Sequence, residues 1–193
     1  QEREEKELLL RYSRDMQENT ENEKSKLFDR LMIGEMSMGE AVEEGKKFGL
    51  NLSASCYAVC LFKILMNSDE KNLLEQTVQA SEELEGEVKQ IEGVCMFQRG
   101  ISGLAFLVME ENEEKMREKI RDFSNCLHCV MDQWKELEYF GAVGKSVDRI
   151  RNLKDSFREA DKVFASRFTE KPKQILSIAD LQVQKEEGEV PVK

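Results

Sequence analysis

Cys126, His128 and Cys129 stand within four consecutive residues and form the most chemically equipped cluster of the chain. Two thiols and an imidazole are zinc ligands by type, but a structural zinc site takes four ligands, normally two such pairs at matched spacing. No second pair exists: Cys56, Cys60 and Cys95 lie among apolar neighbours in strand-like runs, where cysteine packs as a small hydrophobe. On a helix with Leu127 at the centre of its buried face, Cys126 and Cys129 fall to one side and His128 to the other. The three are therefore read as ordinary helix residues, with no metal and no cofactor. His128, the single histidine, has no nucleophile in a recognisable local motif beside it, so general base chemistry through it is unsupported.

A second candidate is the segment Arg99-Gly100-Ile101-Ser102-Gly103, between the apolar runs Val94–Gln98 and Leu104–Met109. Glycines and a hydroxyl let backbone N–H groups approach an anion, which makes Arg99, Gly100, Ser102 and Gly103 candidate ligand-binding residues. The simpler reading is a hairpin turn that uses glycine for positive φ.

Composition limits the alternatives. In 193 residues, 40% hydrophobic and 35% charged, there is material for one good core and a helical appendage. A net charge of −10, with lysine and arginine interspersed among acids, excludes a nucleic-acid surface on this chain. No stretch approaches the roughly 20 apolar residues of a membrane span, and no signal-peptide core is present. Five cysteines without framework spacing fit a reducing compartment, so the expected location is the cytoplasm. A chain that opens on Gln1 and closes on a charged tail is expected to be a piece of a longer polypeptide.

Helices and strands must position these residues. From Gln1 to about Gly34 the chain is rich in Glu, Lys, Arg and Leu and predicts one long helix. Leu9, Tyr12, Met16, Leu27 and Leu31 form a stripe along it, broken by a polar gap from Gln17 to Lys26, and are the candidate dimer or relay face. Ser37 and Glu40 have capping-box spacing for a short helix that Gly49 ends. Cys56–Met66 is apolar at nearly every position, as expected of a central strand covered on both faces. Ser68 or Asp69 is the predicted cap of a helix with Leu73, Leu74, Thr77, Val78, Ser81, Leu84 and Val88 inward. Asn112 caps the next, with Met116, Ile120, Phe123, Leu127, Val130 and Trp134 on one face. Tyr139–Val143 is a strand. Asn152 with Asp155 opens a third helix with Leu153, Phe157, Ala160, Phe164 and Phe168 inward, and Gln174–Ser177 is a last edge strand. The order gives an α+β fold: a ferredoxin-like βαββαβ core with an antiparallel sheet in the order 4-1-3-2, preceded by a long N-terminal helix. Something must cover the sheet face that the two main helices leave open, either the N-terminal helices or a second subunit.

Three segments carry a family resemblance. Ser102-Gly103-Leu104-Ala105-Phe106 resembles the G-G-D-E-F turn of diguanylate cyclases, with the Arg of R-x-x-G-G-D-E-F at Arg99. Tyr139 to Gly144, followed by Leu153-Lys154-Asp155-Ser156-Phe157-Arg158-Glu159-Ala160-Asp161, is similar to the strand and helix of GGDEF-like domains in bacterial transcription regulators. Leu27-Phe28-Asp29-Arg30-Leu31-Met32-Ile33-Gly34 through Glu40-Ala41 is similar to the segment that precedes such domains in AraC-type response regulators, and Phe48-Gly49-Leu50 to its close. The resemblance spans about Ser25 to Phe168.

What the resemblance implies is a degenerate cyclase scaffold. The two acidic positions of the enzymes are Leu104 and Ala105, and the first strand has Leu61, Phe62 and Lys63 where the enzymes have a metal-binding aspartate. The product-inhibition motif would fall at Gly93–Met96, which has neither its Arg nor its Asp. Holding Mg²⁺ against phosphate needs carboxylates. The expected protein is therefore not an enzyme but a signal-relay and dimerisation domain of an AraC-type regulator, a two-component response regulator with its receiver and helix-turn-helix domains elsewhere in the same polypeptide. The expected partners are a second copy and those domains, with no direct nucleic-acid contact and no membrane. The alternative is a ligand sensor that binds a nucleotide or small metabolite in the degenerate cleft without turnover. The expected division is a helical connector at 1–50, a GGDEF-like domain at 51–181 and a C-terminal linker at 182–193.

Overall fold

In the computed structural model, residues 1–65 and 71–188 are described. Their elements run in the order α1 (Glu2–Ile33), α2 (Met38–Lys46), β1 (Cys56–Leu65), α3 (Lys71–Val88), β2 (Val94–Gln98), β3 (Leu104–Glu110), α4 (Glu113–Asp132), β4 (Glu138–Val143), α5 (Leu153–Ala165), β5 (Gln174–Ser177) and α6 (Ile178–Gly188). The sheet order is β2-β3-β1-β4-β5. This is the expected split βαββαβ arrangement with β1 and β3 inside, extended at one edge by β5, which runs parallel to β4.

Strand alternation divides the core in two. Tyr57, Val59 and Leu61 of β1, with Phe97, Ala105, Leu107 and Phe140, face a first core. Ala58, Cys60 and Phe62, with Leu104, Phe106 and Tyr139, face a second. The second core is closed by α3 and α4 through Ala80, Leu84, Phe123 and Leu127. The first is closed by α5, by Leu27, Phe28 and Leu31 of α1, by Ala41 of α2 and by Leu181 of α6. The N-terminal helices are thus among the elements that cover the face left open by α3 and α4. Burying each large apolar side chain contributes roughly 1.5–3 kcal/mol, so the end of α1 is held firmly in the first core. The stripe on α1 divides accordingly: Leu27 and Leu31 are buried, whereas every residue from Gln1 to Thr20, Leu9, Tyr12 and Met16 included, is exposed.

The junction of β1, β4 and α5 holds this arrangement. Between the pairs Cys60↔Val143 and Tyr57↔Val147, Ala58 and Val59 oppose three residues, Gly144, Lys145 and Ser146. The extra residue is a bulge. Gly144 still donates its N–H to the Val59 carbonyl (2.8 Å), but the Val59 N–H turns to the hydroxyl of Ser156 instead (2.9 Å). Ser156, on α5, is fully buried. Its approach requires Gly144, since a Cβ there would lie 2.0 Å from the Ser156 carbonyl oxygen. The loop before β1 is closed by Tyr57, whose hydroxyl donates to the Leu52 carbonyl (2.7 Å) and accepts the Ala54 N–H (2.9 Å).

Several local expectations are corrected. Leu74 and Val78 are about half exposed, because the buried phase of α3 runs through Ala80, Leu84 and Val88. Asn152 does not cap α5 with its side chain: its backbone (φ −92°, ψ 1°) follows a 3₁₀ turn and lacks the extended conformation that aims a cap inward. Phe168 is 79% exposed, in a 3₁₀ turn beyond the end of α5, with the Arg167 guanidinium 4.1 Å from its ring centre. The predicted caps Ser68 and Asp69, and the strand end at Met66, lie outside the described residues. Ser37 and Asn112 do cap, accepting the N–H groups of Glu40 and Lys115.

Replacing Ser156 by alanine leaves the Val59 N–H buried without a partner. Urea denaturation of Ser156→Ala should show a loss of about 1–3 kcal/mol, while Lys145→Ala, exposed beside the same bulge, should stay within about 0.5 kcal/mol.

Candidate functional site

The turn that joins β2 to β3 is a single 3₁₀ turn over Gly100–Ser102. Its polar backbone groups bond within it. Arg99 N–H donates to Gly103 O (2.9 Å), Ser102 N–H to Arg99 O (3.1 Å) and Gly103 N–H to Gly100 O (3.2 Å). Gly100 (φ +58°) and Gly103 (φ +97°) both use the left-handed region. Gly103 is also a close approach, since a Cβ there would sit 2.5 Å from the Phe62 carbonyl oxygen of β1.

Arg99 is half-buried and turned inward. Its guanidinium lies 5.7 Å from the ring centre of Phe28 on α1 and 5.2 Å from that of Phe157 on α5. The two rings meet edge to face at 6.1 Å, and Phe28 also packs on Phe97 of β2 at 5.1 Å. Next to this stack the Ser25 hydroxyl donates to the Gln98 carbonyl, and the Lys24 ammonium lies 5.4 Å over the Phe97 ring. The turn therefore clasps the end of α1 against α5. Cation–π contacts contribute about 0.5–2 kcal/mol each, more when water is excluded. Of the four turn residues predicted from sequence, Arg99 makes this contact, while Gly100 and Ser102 are exposed. The contacts with Lys24, Ser25, Phe28 and Phe157 have no local signal in the sequence, beyond the inward phase of Phe157 on α5 and the place of Phe28 beside Leu27 and Leu31.

Leu104 and Ala105 follow the turn. Leu104 faces the second core at 7% exposure and Ala105 the first at 0%. Leu61 and Phe62, in the region of the first metal position, are equally buried. An ionised carboxylate at Ala105 would be forced among the apolar side chains of the first core. Two grooves formed by described residues, of about 1190 and 550 Å³, lie at the opposite end of the sheet, where β1 begins and β3 ends.

The other candidates are resolved by their contacts. His128 Nδ1 is 2.6 Å from the Tyr139 hydroxyl. Burial pushes the Tyr139 phenol up to about 12, and which of the two groups donates is set by the imidazole tautomer. Burial likewise lowers the His128 pKa, with Asp132 opposing. Cys129 is exposed and Cys126 partly so, its thiol pushed up by burial. Among the described residues no three His, Cys, Asp or Glu side chains are placed to share a metal ion. No helix of the described residues is long and apolar enough to cross a membrane.

Two predictions follow from these positions. Ala105→Glu should cost about 3–5 kcal/mol in urea denaturation, the penalty of an uncompensated buried charge, whereas Ser102→Glu on the exposed turn should cost less than about 0.5 kcal/mol. The lowered His128 pKa means that the unfolded chain takes up a proton that the folded chain resists. Its contribution is thus complete above the ordinary value of 6.5 and is lost as pH falls below it toward the folded pKa. Between pH 7 and 5 the thermal midpoint should fall less steeply in His128→Gln than in the parent.

Comparison with known proteins adds one positive finding. The family model described as GGDEF-like domain matches residues 34–165, from the end of α1 to the end of α5. No curated protein and no solved structure matches the chain significantly. The match covers both the clasping turn and the α5 helix that carries Ser156 and Phe157, and it extends over well more than half of the sequence. The chain belongs to the GGDEF-like domain family.

Proposed function

We propose that this domain is a non-catalytic relay and dimerisation module of a bacterial AraC-type transcription regulator, a response regulator in which α1 brings the signal from a receiver. The observation that carries the reading is the clasp. The turn that holds metal and phosphate in cyclases here grips a helix, through Arg99 between Phe28 and Phe157 and through Ser25 on Gln98. The flanking positions Leu104 and Ala105 are filled with core side chains, which supports the absence of turnover. The likeness of Leu27 to Ala41 to the segment preceding GGDEF-like domains of AraC-type regulators supports the assignment of the class.

Movement of α1 along or about its axis would change the Phe28–Arg99–Phe157 stack and hence the seat of α5. The projecting part of α1 offers the dimer contact. Leu8, Leu9, Leu10, Tyr12 and Met16 are all more than half exposed there, and a helix this polar is marginal in water without a partner.

Sedimentation equilibrium of the intact polypeptide tests the reading. The full chain should dimerise, removal of residues 1–23 should weaken the dimer by about tenfold or more, and Arg99→Ala should leave the dimer intact while raising amide exchange across residues 25–33. A strict monomer at every concentration overturns the dimerisation role. Turnover of GTP with Mg²⁺ overturns the non-catalytic one. Thermal midpoints unchanged by millimolar GTP or cyclic dinucleotide are expected, and a rise of several degrees would favour ligand sensing instead.

A further inference from the structure

β2 is an edge strand with the end of α1 beside it, and the larger groove meets it at Val94, Cys95 and Met96. Met109 N–H bonds to Gly93 O, and Arg99 N–H to Gly103 O. These bonds fix the phase of the ladder: Cys95 and Phe97 direct their backbone groups to β3, while Val94, Met96 and Gln98 turn theirs away from the sheet. The Gln98 carbonyl receives the Ser25 hydroxyl. Val94 and Met96 have no backbone partner among the described residues, and both line the groove of about 1190 Å³.

Edge strands of natural sheets are usually blunted by a charge, a proline or a cover. β2, Val-Cys-Met-Phe-Gln, carries neither charge nor proline, and α1 caps it at the Gln98 end, leaving the outward groups of Val94 and Met96. The groove beside it also takes in the segment before β1, the end of β3 and flanks of α3 and α4. Its walls differ in character. Toward the first core it presents Phe48, Leu50 and Ala54, partly buried hydrophobics. On the α3–α4 wall the lysines are paired with Glu85, Glu110 and Glu111. Glu92 and Glu118 on that wall have no ion-pair partner among the described residues. Lys24, at the rim, is turned onto the Phe97 ring.

We propose that the β2 edge is a docking site for an extended polypeptide segment in which basic and apolar residues alternate, bound by strand addition. Backbone groups of the incoming strand pair with Val94 and Met96 and provide affinity. Because side chains alternate between sheet faces, its basic residues face Glu92 and Glu118 while its apolar residues face Phe48 and Leu50. The net charge of −10 favours such a partner over a second copy of the chain, which would bring like charge to an acidic wall.

Amide hydrogen exchange on the full chain, with and without an acetylated and amidated hexapeptide of alternating lysine and valine, tests this. The Val94 and Met96 amides should exchange rapidly in the dilute free chain and slow by about tenfold or more at saturating peptide, with Cys95 and Phe97 unchanged. Replacing the lysines by glutamate should abolish the effect. Met96→Pro removes an outward N–H and leaves the β2–β3 ladder whole, and should weaken peptide binding by about tenfold. The exposed double change Glu92→Lys with Glu118→Lys should do the same, and keeps the test in force if the proline disturbs folding. Slow exchange of Val94 and Met96 in the dilute free chain, or equal binding of the glutamate peptide, overturns the proposal. Protection that appears on raising the chain concentration alone assigns the edge to a second copy, and overturns it as well.

Discussion

The N–H of Val59 has no strand partner, and the hydroxyl of Ser156 stands in for one. Much of the molecule depends on that substitution. β4 departs from β1 at the bulge after Val143, and α5 enters the space through contact with Gly144. With α5 seated, Leu153, Ala160, Val163 and Phe164 complete the first core. α1 and α6 then pack against α5, and the aromatic ring of Phe157 comes within reach of Arg99. Without this anchor the helix could slide along the sheet, since apolar packing alone is not directional. A buried hydrogen bond to a backbone amide fixes its register.

The fold was largely legible because its strongest signals are local. The continuous apolar run of β1, the caps at Ser37 and Asn112, and the glycine-bearing turn each follow from a few neighbouring residues. β5 was placed from its own short sequence at its observed limits, Gln174–Ser177. Legibility failed where tertiary contact chooses between local options. The stripe on α1 reads as one face, yet Leu27 and Leu31 enter the core while Leu9 and Tyr12 do not, because the domain ends alongside the helix. Leu74 and Val78 are apolar but lie off the phase set by Ala80 and Leu84. Phe168 lies past the end of its helix, where periodicity no longer applies.

The site was legible by subtraction alone. That Leu104 and Ala105 carry no carboxylate is visible in the sequence, and the structure places the two side chains in two separate cores. What the turn does instead was invisible. Arg99 meets Phe28 and Phe157 across separations of 71 and 58 positions in the chain, and no local pattern predicts such a meeting. The pairing of His128 with Tyr139 is similar, a contact between α4 and β4 that no local pattern gives.

The placement of the first and last helices has a geometric consequence. α1 lies beside β2 and α6 follows directly from β5, at opposite edges of the sheet. Five strands at about 4.8 Å spacing separate those edges by roughly 19 Å. The strands are tied by ladders of hydrogen bonds and form a stiff plate that resists bending along this direction. α5 touches both α1 and α6. It is seated mainly on β1 and β4, and so joins the packing of the two terminal helices over the middle of the sheet.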